Sequence, residues 1–149
     1  LGDADLILIG SSRTNQFLDS LQGDNNFLIT ESSIVNRHPE RGEQEEYTGF
    51  RHSDGGLVKL TEYALVTRIT SLTPGCSVTS IAANHGRAIE GAGRYITSED
   101  NLNQLFEQIG LGEPSDSLPT DFQILFQVEL IYFDEEVINT EYLTHRFIN

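Results

Sequence analysis

Two stretches of the chain set anion-holding side chains directly behind short apolar runs. The first is Ser11-Ser12-Arg13-Thr14-Asn15, after Leu6-Ile7-Leu8-Ile9-Gly10. The second is Asn84-His85-Gly86-Arg87, after Val78–Ala83. In both, a run too brief for a helix of its own gives way to small, polar and cationic residues, and a helical pattern follows. Helix N-termini attract anions because unpaired amide N–H groups and the positive end of the dipole converge there, and a neighbouring arginine adds a full charge. We therefore single out Ser11, Ser12, Arg13, Asn15, Asn84, His85, Gly86 and Arg87 as ligand-binding candidates, with Arg37 and His38 from a polar stretch between the two junctions. The ligand class is a small anion, nucleotide-like in its demands.

An enzyme reading competes with binding. His85 or His38 as general base, with Glu43 or Glu90 orienting it, would suffice for proton transfer in a hydrolase or transferase. Such pairs arise easily among four histidines and 23 acids. The dinucleotide glycine fingerprint, the P-loop lysine, the nucleophile elbow and the HExxH pattern are all absent from the sequence. No catalytic residue is assigned on these grounds, and no cofactor or metal is expected. A third reading makes the polar clusters plain helix caps in a protein interaction or assembly module.

The elements that must position these residues follow from periodicity. Asp5 to Gly10 is apolar on both faces, as a covered central strand requires, and Phe17, Leu18 and Leu21 predict a helix behind it. Phe27–Ile29 and Ser33–Val35 read as short strands, and Asn36–Tyr47 as a long charged loop, expected to be mobile or functional, in which Arg37 and Arg41 pair with Glu40, Glu43 or Glu45. Asp54-Gly55-Gly56 is a turn with His52 solvated beside it, and Tyr63–Ile69 and Ser77–Ala83 are strands. The helix after Asn84-His85-Gly86 contains Gly91 and Gly93, which fit where its backbone lies close to a sheet. Thr97 and Asp100 are spaced as a capping box for a second helix with Leu102, Leu105, Phe106 and Ile109 as its buried stripe. Phe122–Tyr132 alternates as a long strand, and Asn139–Ile148 returns antiparallel to it with His145 and Arg146 at the surface.

Together these predict a single α/β domain over 1–149, a three-layer, Rossmann-like open sheet, mainly parallel, with an antiparallel C-terminal edge hairpin. Leu6–Ile9, Ala64–Ile69 and Val78–Ala82 should be neighbours, so that both polar clusters open into one crevice at the strand carboxyl ends.

Composition narrows the partners. Nine Lys and Arg against 23 Asp and Glu give a formal charge of −14, which disfavours a general nucleic-acid surface. The single Cys76 forms no internal disulfide and is read as structural. No apolar stretch approaches the ~20 residues of a membrane span, and no signal peptide is present, so the domain is expected to be soluble and cytoplasmic. A start at Leu1 that runs at once into a strand is what a domain excised from a longer protein would show. A covalently linked N-terminal domain and a second copy of the chain are the macromolecular partners to expect.

The chain resembles an α/β domain of uncharacterised function that accompanies winged-helix or helix-turn-helix segments in bacterial transcriptional regulators. The likeness rests on Leu8-Ile9-Gly10-Ser11-Ser12-Arg13-Thr14-Asn15, Asn36-Arg37-His38-Pro39 with Gly42-Glu43 and Tyr47, Tyr63-Ala64-Leu65-Val66, and Ile81-Ala82-Ala83-Asn84 with Glu90-Gly91-Ala92-Gly93. That pattern carries a Gly-Thr pair after the third strand, where this chain has Asn84-His85-Gly86. The resemblance implies a non-catalytic sensor or effector role.

Overall fold

A computed structural model describes residues 4–10, 25–69, 76–110 and 121–148, apart from the side chains at 4–8 and 76. The order of elements is β1 (Ala4–Gly10), β2 (Phe27–Ile29), β3 (Ile34–Asn36), β4 (Glu46–Tyr47), β5 (Phe50–Asp54), β6 (Leu57–Ile69), β7 (Cys76–Ala83), α1 (Gly86–Thr97), α2 (Glu99–Gln108), β8 (Asp121–Ile131) and β9 (Val137–Ile148).

Among the described residues the main sheet is six-stranded, in the order β1-β7-β6-β8-β9, with β5 also paired to β6. Among the described residues only β1 and β7 run parallel, joining Ala4↔Cys76 through Gly10↔Ala82. The β5–β6, β6–β7, β6–β8 and β8–β9 pairs are all antiparallel. The expected Rossmann-like, mainly parallel sheet is therefore not what forms. The connection from β6 to β7, over 70–75, is too short for the crossover that a parallel pair demands, so β7 returns antiparallel.

Strands apolar on both faces signal two covered faces, whichever way the chain runs. Here the covers differ in kind. One face carries Ala64, Val66, Ile81, Ala83, Ile124, Phe126, Val128 and Leu130 against Ala88 and Ala92 of α1 and Leu105, Phe106 and Ile109 around α2. The other carries Tyr63, Leu65, Val78, Ala82 and Leu125 against Phe27, Ile29, Ile34 and Tyr47 of a three-stranded sheet, β2-β3-β4. Both helices among the described residues thus lie on one side, and the helix expected behind β1 falls on residues outside the described ones.

Local chemistry explains several elements. Gly55 and Gly56 hold φ of 59° and 82°, the left-handed values that a tight two-residue hairpin needs, so Asp54-Gly55-Gly56 closes a β5–β6 hairpin. His52 is consequently a strand residue with Nε2 2.9 Å from Thr61 Oγ1, not a solvated loop histidine. Ser98, one residue beyond the expected Thr97, caps α2 by accepting from Asn101 N–H, while Thr97 donates to Gly93 O of its own helix. Gly91 has no room for a side chain, because a Cβ there would stand 2.7 Å from Val128 and 2.8 Å from Thr140.

The long loop is pinned rather than loose. Asn36, 3 % exposed, donates to Glu43 Oε1 and Gln44 O, and Thr144 of β9 donates to Glu43 Oε2 at 2.6 Å. The Arg146 guanidinium engages both Glu43 oxygens and stacks 5.3 Å from the Phe27 ring centroid. Arg146, expected at the surface, is instead the cation for Glu43 and Glu40, and Arg37 and Arg41 form no ion pair among the described residues. His145 is half-buried, its Nδ1 2.6 Å from the Tyr142 hydroxyl.

Candidate functional site at the β7–α1 junction

At the end of β7 the chain leaves the sheet through exposed Asn84 and enters α1 through His85, whose φ of −127° and ψ of 128° are those of an extended N-cap. The His85 Nδ1 accepts from Arg87 N–H at 3.2 Å, satisfying one of the open amides of the first turn. That bond places the imidazole proton on Nε2, which lies 3.3 Å from Glu135 Oε1. Glu135 sits in the β8–β9 turn at φ 55°, a left-handed conformation uncommon for a side chain of its size. Arg87 pairs with Glu90 at 2.9 Å, and that bond holds the Glu90 carboxyl below its usual range.

Beside this junction the sheet edge is interrupted. On one side of β6, β5 stops at Phe50↔Thr61 and β7 begins its pairing at Ala83↔Ala64, which leaves Glu62 opposite the gap. Glu62 lies on the helix-covered face, between Leu60 and Ala64. Burial pushes its carboxyl up, and the nearby His85 partly offsets the shift. Among the described residues this carboxylate accepts no hydrogen bond. Gly49 makes room for it, since a Cβ there would overlap the Glu62 carboxylate.

His85, Gly86, Arg87, Glu90 and Glu135 line an open depression of about 470 Å³. Of the residues singled out in the sequence, Asn84, His85, Gly86 and Arg87 meet here. Ser11, Ser12, Arg13 and Asn15 lie outside the described residues. Arg37 and His38 are not brought to this site: their N–H groups bond to the Asn26 backbone and side-chain oxygens, on the small-sheet side of the molecule. Glu135 lines the depression as well, and Glu62, near enough to His85 to feel its charge, stands beside it; neither was singled out in the sequence. Glu62 had a readable signal, a lone carboxylate in the otherwise strand-like run Leu60–Val66.

The arrangement is poor for proton transfer. Both ring nitrogens of His85 are engaged, so taking a proton on Nδ1 would break the helix cap. Glu90 is committed to Arg87 and Arg94, and Glu43 to Arg146, so neither carboxylate orients His85 or His38. Among the described residues no group of three or more His, Cys, Asp or Glu could hold a metal, and no helix is long and apolar enough to cross a membrane.

No protein-family model, curated protein or solved structure matches this chain.

Proposed function

We propose that the chain is a non-catalytic binding domain that recognises a small anionic, nucleotide-like molecule at the β7–α1 junction, as the sensor or effector part of a regulator. The observation that carries this reading is the closeness of opposite groups around His85. The Gly86 N–H and Arg87 offer donors at a helix N-terminus, while the half-buried Glu62 carboxylate, near enough to His85 to feel its charge, accepts no hydrogen bond among the described residues. A ligand with an anionic end and an N–H-bearing ring meets both, and one with the anion alone meets only the first. The engaged state of His85 favours holding over turnover. Calorimetric titration with phosphate, sulfate and mononucleotides tests the proposal. Mononucleotides with amino-bearing bases should bind more tightly than phosphate, Glu62→Gln should reduce that preference, and Arg87→Ala should weaken all anions. Failure of the wild type to bind any of them would end this reading.

A second reading, an interaction module, draws on the neighbouring β8–β9 turn. Phe133 there is 82 % exposed and stacks edge-on against Tyr132, over which Arg51 lies. Self-association that rises with protein concentration in light scattering, and falls in Phe133→Ser, would favour it.

A further inference from the structure

On the opposite face of β6 from Glu62, its neighbour Tyr63 points into the seam between the two sheets. Tyr63 is 6 % exposed as a residue, and its hydroxyl, which makes no hydrogen bond among the described residues, keeps accessible surface. Every buried side-chain polar atom among the described residues has a partner, so this hydroxyl is open to water in the cleft and free to bond a ligand that displaces it. Tyr63 lines a cleft of about 180 Å³ together with Tyr47, Gln127, Thr144, Leu143 and residues 42–44. Tyr47 and Tyr63 form an edge-on aromatic wall with centroids 5.2 Å apart, and the Tyr47 hydroxyl already accepts from Gln44 N–H. Gln127 likewise has no side-chain hydrogen bond among the described residues.

Charge is cancelled here. Glu43 reaches the cleft, but its carboxylate is taken up by Arg146, Thr144, Asn36 and the Glu40 N–H. The cleft therefore offers no net charge, one aromatic wall, a phenol and a side-chain amide. An apolar cavity of about 150 Å³ accepts benzene, so this volume suits one six-membered ring with small substituents. A glutamine amide presents a donor and an acceptor side by side, the complement of a cyclic amide edge.

We propose that this cleft is a second ligand site, independent of the β7–α1 junction, for a small uncharged planar ring with a cyclic amide edge, as free pyrimidine bases present. Gln127 reads the amide edge, Tyr63 supplies the remaining hydrogen bond, and the tyrosine pair packs against the ring. The loop pinned by Arg146 forms one rim.

Heteronuclear NMR titration of the full chain with uracil tests this, with phosphate and glucose in parallel arms. Saturable shifts at Tyr63, Gln127 and Thr144 are expected with uracil and not with glucose. Tyr63→Phe, which keeps the ring, and Gln127→Leu should each weaken binding about tenfold, whereas Glu62→Gln should leave uracil binding unchanged. Absence of saturable shifts at these residues up to about 10 mM uracil, equal binding by Tyr63→Phe, or tighter binding of glucose than uracil would each overturn the proposal. A phosphate response without a uracil response overturns this site and leaves the junction site standing.

Discussion

The side-chain amide of Gln123 closes on both backbone groups of Phe27, accepting from its N–H and donating to its carbonyl, each at 2.9 Å. Both residues are fully buried, and Gln123 Nε2 also reaches Thr67 Oγ1 at 3.3 Å. One glutamine of the main sheet thus gives β2 what a neighbouring strand would otherwise supply, and this joins the two sheets by hydrogen bonds as well as packing.

Replacing that amide should be expensive. Gln123→Leu keeps the volume and leaves a buried N–H and C=O unpaired, each costing about 1–3 kcal/mol. The expected loss is about 3 kcal/mol in urea unfolding, and a loss below about 1 kcal/mol would show that β2 finds other partners.

Acid should loosen the other tie. Burial pushes the Glu43 carboxyl up, but the bonds from Arg146, Thr144, the Glu40 N–H and Asn36 together outweigh it and bring the group from 4.5 down to about 2. A folded-state value below the unfolded one means the stabilisation is complete above about pH 4.5 and is lost as pH falls towards 2. The loss should reach at most about 3 kcal/mol, less whatever solvent screening removes. Urea midpoints taken from pH 5 to 2.5 should fall steeply in the wild type and more gently in Glu43→Gln; parallel curves would assign the acid sensitivity elsewhere.

Two glycines of α1 should respond in opposite directions to the same substitution. Gly91→Ala drives a methyl into Val128 and Thr140 and should destabilise by about 1–3 kcal/mol, although alanine is the better helix former. At Gly93 a Cβ would meet only Ile81 Cδ1 at 3.9 Å, so Gly93→Ala should stabilise by about 0.5–1 kcal/mol. Thermal unfolding of both variants checks the contrast, which fails if the two move together.

The gap opposite Glu62 makes a sharper demand. Gly49→Ala should displace the Glu62 carboxylate, a flexible side-chain end, at a stability cost of about 1 kcal/mol or less. Its larger effect should be on mononucleotide affinity, reduced as in Glu62→Gln. A Gly49→Ala variant that binds like the wild type would remove Glu62 from the site.

Much of the chain was readable where a pattern has a single cause. The neighbouring positions of β1, β7 and β6 followed from apolar runs bounded by turn residues, and the buried stripe of α2 from its 3.6-residue spacing. Leu6–Ile9 runs parallel to Val78–Ala82 as expected, but the antiparallel run of Ala64–Ile69 was not readable, because strands apolar on both faces look alike whether a helix or a second sheet covers the far face. The 36–47 loop hides its tie for a similar reason: Arg37 and Arg41 are the cations that the sequence offers to Glu43, yet its partner is Arg146, 103 residues away, and no local rule links them. The junction residues 84–87 could be found as a motif, but Glu62 and Gly49 belong to the site only through the break between β5 and β7, which exists in three dimensions alone.

The span of these ties sets an order of assembly. The β5–β6 and β8–β9 hairpins close locally, whereas Phe27–Gln123 and Glu43–Arg146 bridge 96 and 103 residues. Contacts of that reach pay their loop-closure entropy before they return anything, so the main sheet must largely exist before β2-β3-β4 can settle on it. The last layer to arrive in folding is then the first to leave in native fluctuation. The small sheet should exchange its amide protons as one unit, ahead of β6 and β8, with the Tyr47–Tyr63 cleft opening whenever it does.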